Sequence, residues 1–119
     1  MILDEKIENE VKQAIQRYKK ISEDPRTLSE PDFKYLSERE RQEFLVEFIG
    51  FEAIQDRERK ARLELEAFSK IRDRFAHWIA LKIIKSNLGT KLNEINIPTQ
   101  TYIEFGRAVI ENNYKSMLI

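Results

Sequence analysis

Residues 57–86 read RERKARLELEAFSKIRDRFAHWIALKIIKS. In this stretch Leu65, Phe68, Ile71, Phe75, Trp78, Ile79 and Ile83 recur at three- to four-residue spacing, the repeat that gathers side chains onto one face of an α-helix. The spacing predicts a long helix over 57–86, either unbroken or interrupted near Ser69-Lys70. Asn87-Leu88-Gly89 supplies a C-terminal stop. Upstream, Gln55-Asp56 suits a turn, with Asp56 as the N-cap.

Working outward, Ser37-Glu38-Arg39-Glu40 is a capping box, a Ser at the N-cap with a Glu three residues on. The helix it opens carries Phe44, Leu45, Phe48, Ile49, Phe51 and Ile54 as a broad apolar stripe, with Gly50 as the mark of a close helix crossing. Near the N-terminus, Leu3, Ile7, Val11 and Ile15 share a face with Ala14 and Tyr18, which predicts a helix from Leu3 to Ile21. Its acids come early and its bases late, as the helix dipole favours. Pro25 and Pro31 make residues 24–36 a connector, held to the core by Phe33, Tyr35 and Leu36. Residues 90–98 read as a polar loop. Thr101-Tyr102-Ile103-Glu104 is a second capping box, opening a last helix that turns Ile103, Ala108, Val109 and Tyr114 inward and runs to Leu118. The expectation is an all-α antiparallel bundle of four to five helices. It forms one domain over 1–119, with 1–36 as N-terminal helix and connector and 37–118 as the body.

Composition agrees: only three Gly and three Pro in 119 residues leave few turns for a many-stranded fold. There is no Cys, no apolar run of membrane-spanning length and no secretory pattern at the N-terminus, so a cytoplasmic protein without a membrane segment is expected. Net charge is zero but uneven. Residues 57–91 hold 10 bases against 4 acids, a net of +6. Such a stretch is either the footprint of a phosphate-bearing partner or a solvated face complementing the acidic N-terminal half. Under the first reading Lys70, Arg74 and Lys82 are the phosphate-binding candidates.

Several chemistries are excluded. No glycine-rich phosphate loop is present. One His and no Cys cannot build a zinc site, and Arg74 stands where a di-iron Glu-x-x-His motif needs its Glu. No metal and no cofactor is therefore expected. Glu40, Glu43 and Glu47 read as a solvated stripe. No Ser lies in a nucleophile elbow that His77 could serve.

His77 is the only histidine, so acid-base work near neutral pH falls to it first. Asp73 and Arg74, four and three places before it, share its face on an unbroken helix. Asp73 would orient its ring. Arg72, five places away, lies about 140° round an ideal helix. Arg72 and His77 therefore meet only at a kink or across an interface.

The segment Arg72-Asp73-Arg74-Phe75-Ala76-His77 resembles the Arg-x(4–6)-His motif of the HEPN superfamily of helical domains, and KIRDRFAHW is similar to the version in relatives of the mannitol operon repressor. Asp73 stands where that family most often has Asn. The resemblance implies a metal-independent endoribonuclease, such as a toxin or host-defence effector, that leaves 2′,3′-cyclic phosphate ends. Arg72, Asp73 and His77 would be catalytic: His77 as acid or base, Arg72 on the phosphorane, Asp73 holding His77. One His per chain then implies a symmetric homodimer, with Phe75 and Trp78 as interface candidates. Two alternatives stand beside it. One is a non-catalytic module of this fold that binds a regulatory protein partner through Phe44, Phe48, Phe51 and Trp78. The other is an unrelated structural bundle, in which His77 and its arginines only pack or pair.

Overall fold

The computed structural model describes residues 4–28, 32 and 34–111. Four α-helices form in chain order: α1 Glu5–Glu23, α2 Glu38–Phe51, α3 Arg57–Leu88 and α4 Thr99–Glu111. Short 3₁₀ turns follow α1 at Pro25–Thr27 and α3 at Gly89–Glu94. The second of these occupies most of what the sequence suggests is a loop. Among the described residues there is no strand, and no helix is long and apolar enough to cross a membrane.

α3 is the central element, 32 residues without a break, or about 48 Å of helix. The Ser69 hydroxyl donates to the Leu65 carbonyl at 2.8 Å, folding back on its own helix rather than interrupting it. Asp56 caps its start, accepting from the backbone N–H of Glu58 and Arg59 at 3.1 and 3.3 Å. Gly89 closes its end at φ 55°, a conformation suited to glycine. Ala67, Ile71, Phe75, Ala76, Ile79, Ala80 and Ile83 are its buried residues. Leu65, which shares the repeat, is 68% exposed instead.

The other three helices run antiparallel to α3 and pack on it. α1 buries Val11, Ala14, Ile15 and Ile21, and Tyr18 meets Phe75 at 5.7 Å between ring centres. Asp4 caps α1 through the Lys6 N–H. The connector is pinned by Tyr35 and Leu36, both buried, and by Asp32, whose carboxylate is fully enclosed. Arg17 of α1 donates to both oxygens of Asp32, at 2.7 and 2.6 Å, and to the Thr27 carbonyl at 2.9 Å. Leu3, Phe33, Tyr114 and Leu118, which the sequence reading places in helices or core, lie outside the described residues.

The predicted capping box of α2 forms in full: Ser37 accepts from the Glu40 N–H, and Glu40 accepts from the Ser37 N–H at 3.1 Å. Phe44 is buried, and with Phe48 it packs edge-on to Phe68 of α3. Phe51 joins through Phe48. These aromatics serve the core more than an outer patch. The exposed apolar residues of α2 are Val46 at 69% and Ile49 at 65%.

α4 starts two residues before its predicted capping box. The Pro98 carbonyl accepts from the N–H of Thr101 and Tyr102, so Thr101 is already inside the helix. The close crossing belongs to α4 and not to α2. Gly50 has open space around it. At Gly106 an added Cβ would stand 2.6 Å from the Ala76 Cα and nearer still to the Ala76 carbonyl, so the two backbones touch.

Candidate functional site

The motif lies in the middle of α3, opposite Gly106, where α4 approaches closest. Because α3 is continuous, Arg72 and His77 stay about 140° apart and do not share a face. Their surroundings differ accordingly.

Arg72 points into the seam between α1 and α4. Its side chain is 28% exposed, and it approaches Asp73 at 3.6 Å and Glu111 at 3.7 Å, both beyond hydrogen-bond length. Its Nε is buried without a hydrogen bond among the described residues. Tyr18 of α1 is close enough to feel it. Burial raises the phenol's pKa, the Arg72 charge opposes that, and Glu111 and Asp73 reinforce it.

Asp73 does not hold His77. Both its oxygens accept from Arg107 of α4, Oδ1 from Nε and Oδ2 from Nη2, each at 2.7 Å. The bidentate fork suits a guanidinium and a carboxylate on facing helices. Arg107 in turn has its pKa raised, chiefly by that hydrogen bond. His77 is half-buried, and its imidazole lies against the Tyr102 ring at 5.7 Å.

Arg74 is also engaged. It binds Glu40 of α2 at 2.6 and 2.8 Å. Burial alone would raise the Glu40 pKa, but the Arg74 hydrogen bond and those from Ser37 outweigh it and lower it. A group lowered in the folded state adds stability above the ordinary carboxylate range and loses it as pH falls through the folded pKa. Glu40→Gln is therefore expected to cost about 1 kcal/mol at about pH 7, with the difference from wild type narrowing at acid pH. Urea midpoints at the two pH values measure this.

The other predicted residues take structural places. Phe75 is fully buried, stacked on Tyr35 at 4.5 Å, so it is core and offers nothing to an interface. Trp78 is half-buried, with Tyr35 edge-on at 4.8 Å. Lys82 covers the Trp78 face at 5.2 Å and forms an ion pair with Glu10 of α1 at 3.0 Å, which ties two helices together. Lys70 lines a groove of about 330 Å³ between α2 and α3, with Arg74, Asp73 and the glutamates 40, 43 and 47 over Phe44 and Ile71. Its acids outnumber its bases, so it does not present a phosphate cradle. The glutamate stripe read as a solvated face is one wall of this groove.

Arg107, Glu111, Tyr18 and Tyr102 complete the surroundings of the motif, and none is marked by the sequence as a site residue. Arg107 lies 34 residues from Asp73 and no local pattern joins them. Among the described residues no group of three or more His, Cys, Asp or Glu side chains is placed to hold a metal ion. The chain matches no protein-family model, no curated protein and no solved structure.

Proposed function

We propose that the chain is a HEPN-like, metal-independent endoribonuclease that works as a symmetric dimer. The observation that carries this reading is how the motif's four polar residues divide. Asp73 and Arg74 are engaged by short bonds to Arg107 and Glu40. Arg72 and His77, the two groups that the chemistry needs, are not: the first keeps a buried N–H without an acceptor, and the second has only a ring contact among the described residues. They face different sides of one rigid helix, so one chain holds half a site in each place. A second chain supplies the missing half.

In the reaction the 2′-oxygen of a ribose attacks the adjacent phosphorus and the bond to the 5′-oxygen breaks. One His77 takes the 2′-hydroxyl proton and its counterpart gives a proton to the leaving oxygen. Arg72 places its planar donors against the charge that builds on the phosphorane. The products are a 2′,3′-cyclic phosphate and a 5′-hydroxyl.

The test is RNA cleavage in EDTA by wild type, His77→Ala and Arg72→Ala, with fold and oligomeric state checked for each. Wild type is expected to leave cyclic phosphate ends, and each variant to lose at least about 10²-fold in rate. RNA left intact by folded, dimeric wild type would overturn the reading. It would favour the second one, a non-catalytic module that binds a protein partner. Val46 and Ile49 support that second reading, since they stand one turn apart and largely exposed on the outer face of α2.

A further inference from the structure

The first half of α3 carries bases that nothing holds. The side chains of Arg57, Arg59, Arg62 and Lys70 are exposed and make no hydrogen bond or ion pair among the described residues. The charge excess of the sequence therefore gathers here, since Arg74 and Lys82 are taken by Glu40 and Glu10. From Arg57 to Glu66 no residue of α3 is buried. These bases do not serve the helix either. α1 and α2 open on acids, as the dipole favours, whereas α3 opens on Arg57, Arg59 and Lys60, with Glu58 as the acid of its first turn.

Their positions round the helix decide what they can do. Arg59 and His77 are 18 residues apart on one unbroken helix. That is about five full turns, so the two lie on the same side of α3, about 27 Å apart. Lys70 falls about 20° from the line that joins them, and Arg62 about 60°. Arg57 lies about 160° from Arg59 and takes no part. The acids on this stripe are Glu66, which is exposed, and Asp73, which Arg107 holds. The exposed Leu65 is about 120° round the helix from Arg59. The stripe therefore has no apolar wedge of the kind that a lipid surface takes up. A single row of cations suits an extended chain of anions instead.

We propose that Arg59, Arg62 and Lys70 form a track for the phosphodiester backbone of a single RNA strand, which reaches His77 from the N-terminal end of α3. The two guanidinium groups hold phosphates in their planar forks, and Lys70 adds a point charge between them and His77. The track carries affinity without reading bases. What happens to the strand at His77 rests on the ribonuclease reading, whereas the track stands on charge and position.

The experiment measures binding of a 2′-deoxy oligonucleotide of about 12 residues, which cannot be cleaved by 2′-oxygen attack, to wild type, to Arg59→Gln with Arg62→Gln, and to Lys85→Gln with Lys91→Gln. The last pair removes the same charge from exposed, equally unpaired lysines beyond His77 along the chain. The arginine variant is expected to bind about tenfold more weakly at low salt. Its slope of log affinity against log salt is expected to be shallower by about 1.4, the release of two contacts to a single strand. The lysine variant is expected to lose less than about twofold. Equal losses in the two variants would reduce the effect to net charge and overturn the track. So would a wild type that does not bind. Vesicles containing anionic phospholipid that bind wild type and not the arginine variant, with oligonucleotide affinity unmoved, would assign these arginines to a membrane and also overturn it. Cleavage of an RNA of the same length separates the two readings. Intact RNA with arginine-dependent binding would keep the track and sink the ribonuclease. Cleavage with a KM unmoved in the arginine variant would do the reverse.

Discussion

Gly106→Ala is expected to destabilise the protein by about 3 kcal/mol, although alanine is the better helix former by about 1 kcal/mol. The cause is steric. The new methyl would stand 2.6 Å from the Ala76 Cα and closer to its carbonyl. The obstacle is backbone in the middle of a 32-residue helix, so no rotamer change relieves it. α4 has to lift from α3, which also uncovers Val109 and Tyr102 and lengthens the Arg107–Asp73 pair. Gly50→Ala is the matched control. It sits in a helix with nothing within 4 Å, so it is expected to gain as much as about 1 kcal/mol. Thermal unfolding separates the two: a fall of about 10 °C for Gly106→Ala and a rise for Gly50→Ala. A stabilising Gly106→Ala would mean that the two helices do not touch there.

Arg17→Met is expected to cost about 3–5 kcal/mol, out of proportion to one partly exposed side chain. Asp32 is 0% exposed, and Arg17 gives its carboxylate two hydrogen bonds of 2.6 and 2.7 Å. Burial of a carboxylate is offset by such a fork, and removal of the fork takes away the two charged bonds that do most to offset it. The same bonds raise the Arg17 pKa, with the Asp32 hydrogen bond as the main cause. The Thr27 carbonyl and the Tyr35 and Leu36 N–H groups that donate to the Asp32 carbonyl depend on this anchor, so the connector should loosen as a unit. Adding Asp32→Asn to Arg17→Met is expected to recover part of the loss, because a neutral amide is easier to bury. Urea midpoints of the single and double variants measure the difference. A double variant weaker than Arg17→Met alone would contradict this account.

What the sequence makes legible here is local. The Ser37–Glu40 box, the Asp56 cap and the Gly89 stop are signals written within a few residues, and each forms as read. The long repeat of α3 shows the bundle for the same reason. Pairings between helices leave no such trace. Gly50 and Gly106 are alike on paper, and only the path of α4 decides which one meets a neighbour. Asp73 beside His77 invites an Asp–His pair, but the arginine that takes it comes from another helix. Phe75 and Ile49 differ in the same way: both are apolar on a helix stripe, one at 0% and the other at 65% exposure, because what covers them lies far along the chain. The motif's neighbourhood was legible on α3 and illegible on α4.

The position of the motif at the centre of α3 also determines which motions can reach it. Partial opening in a helical protein begins where few contacts hold, at termini and lightly packed ends. Here those are the 3₁₀ turn at Gly89–Glu94, with no buried residue, and α2, with one. The backbone around His77 is packed by Phe75, Ala76, Ile79 and Ala80, all fully enclosed, the kind of segment whose opening costs most. Slow local unfolding is therefore an unfavourable means of control at this site. What remains is the fast regime of side-chain rotation, on a frame that stays folded while it happens.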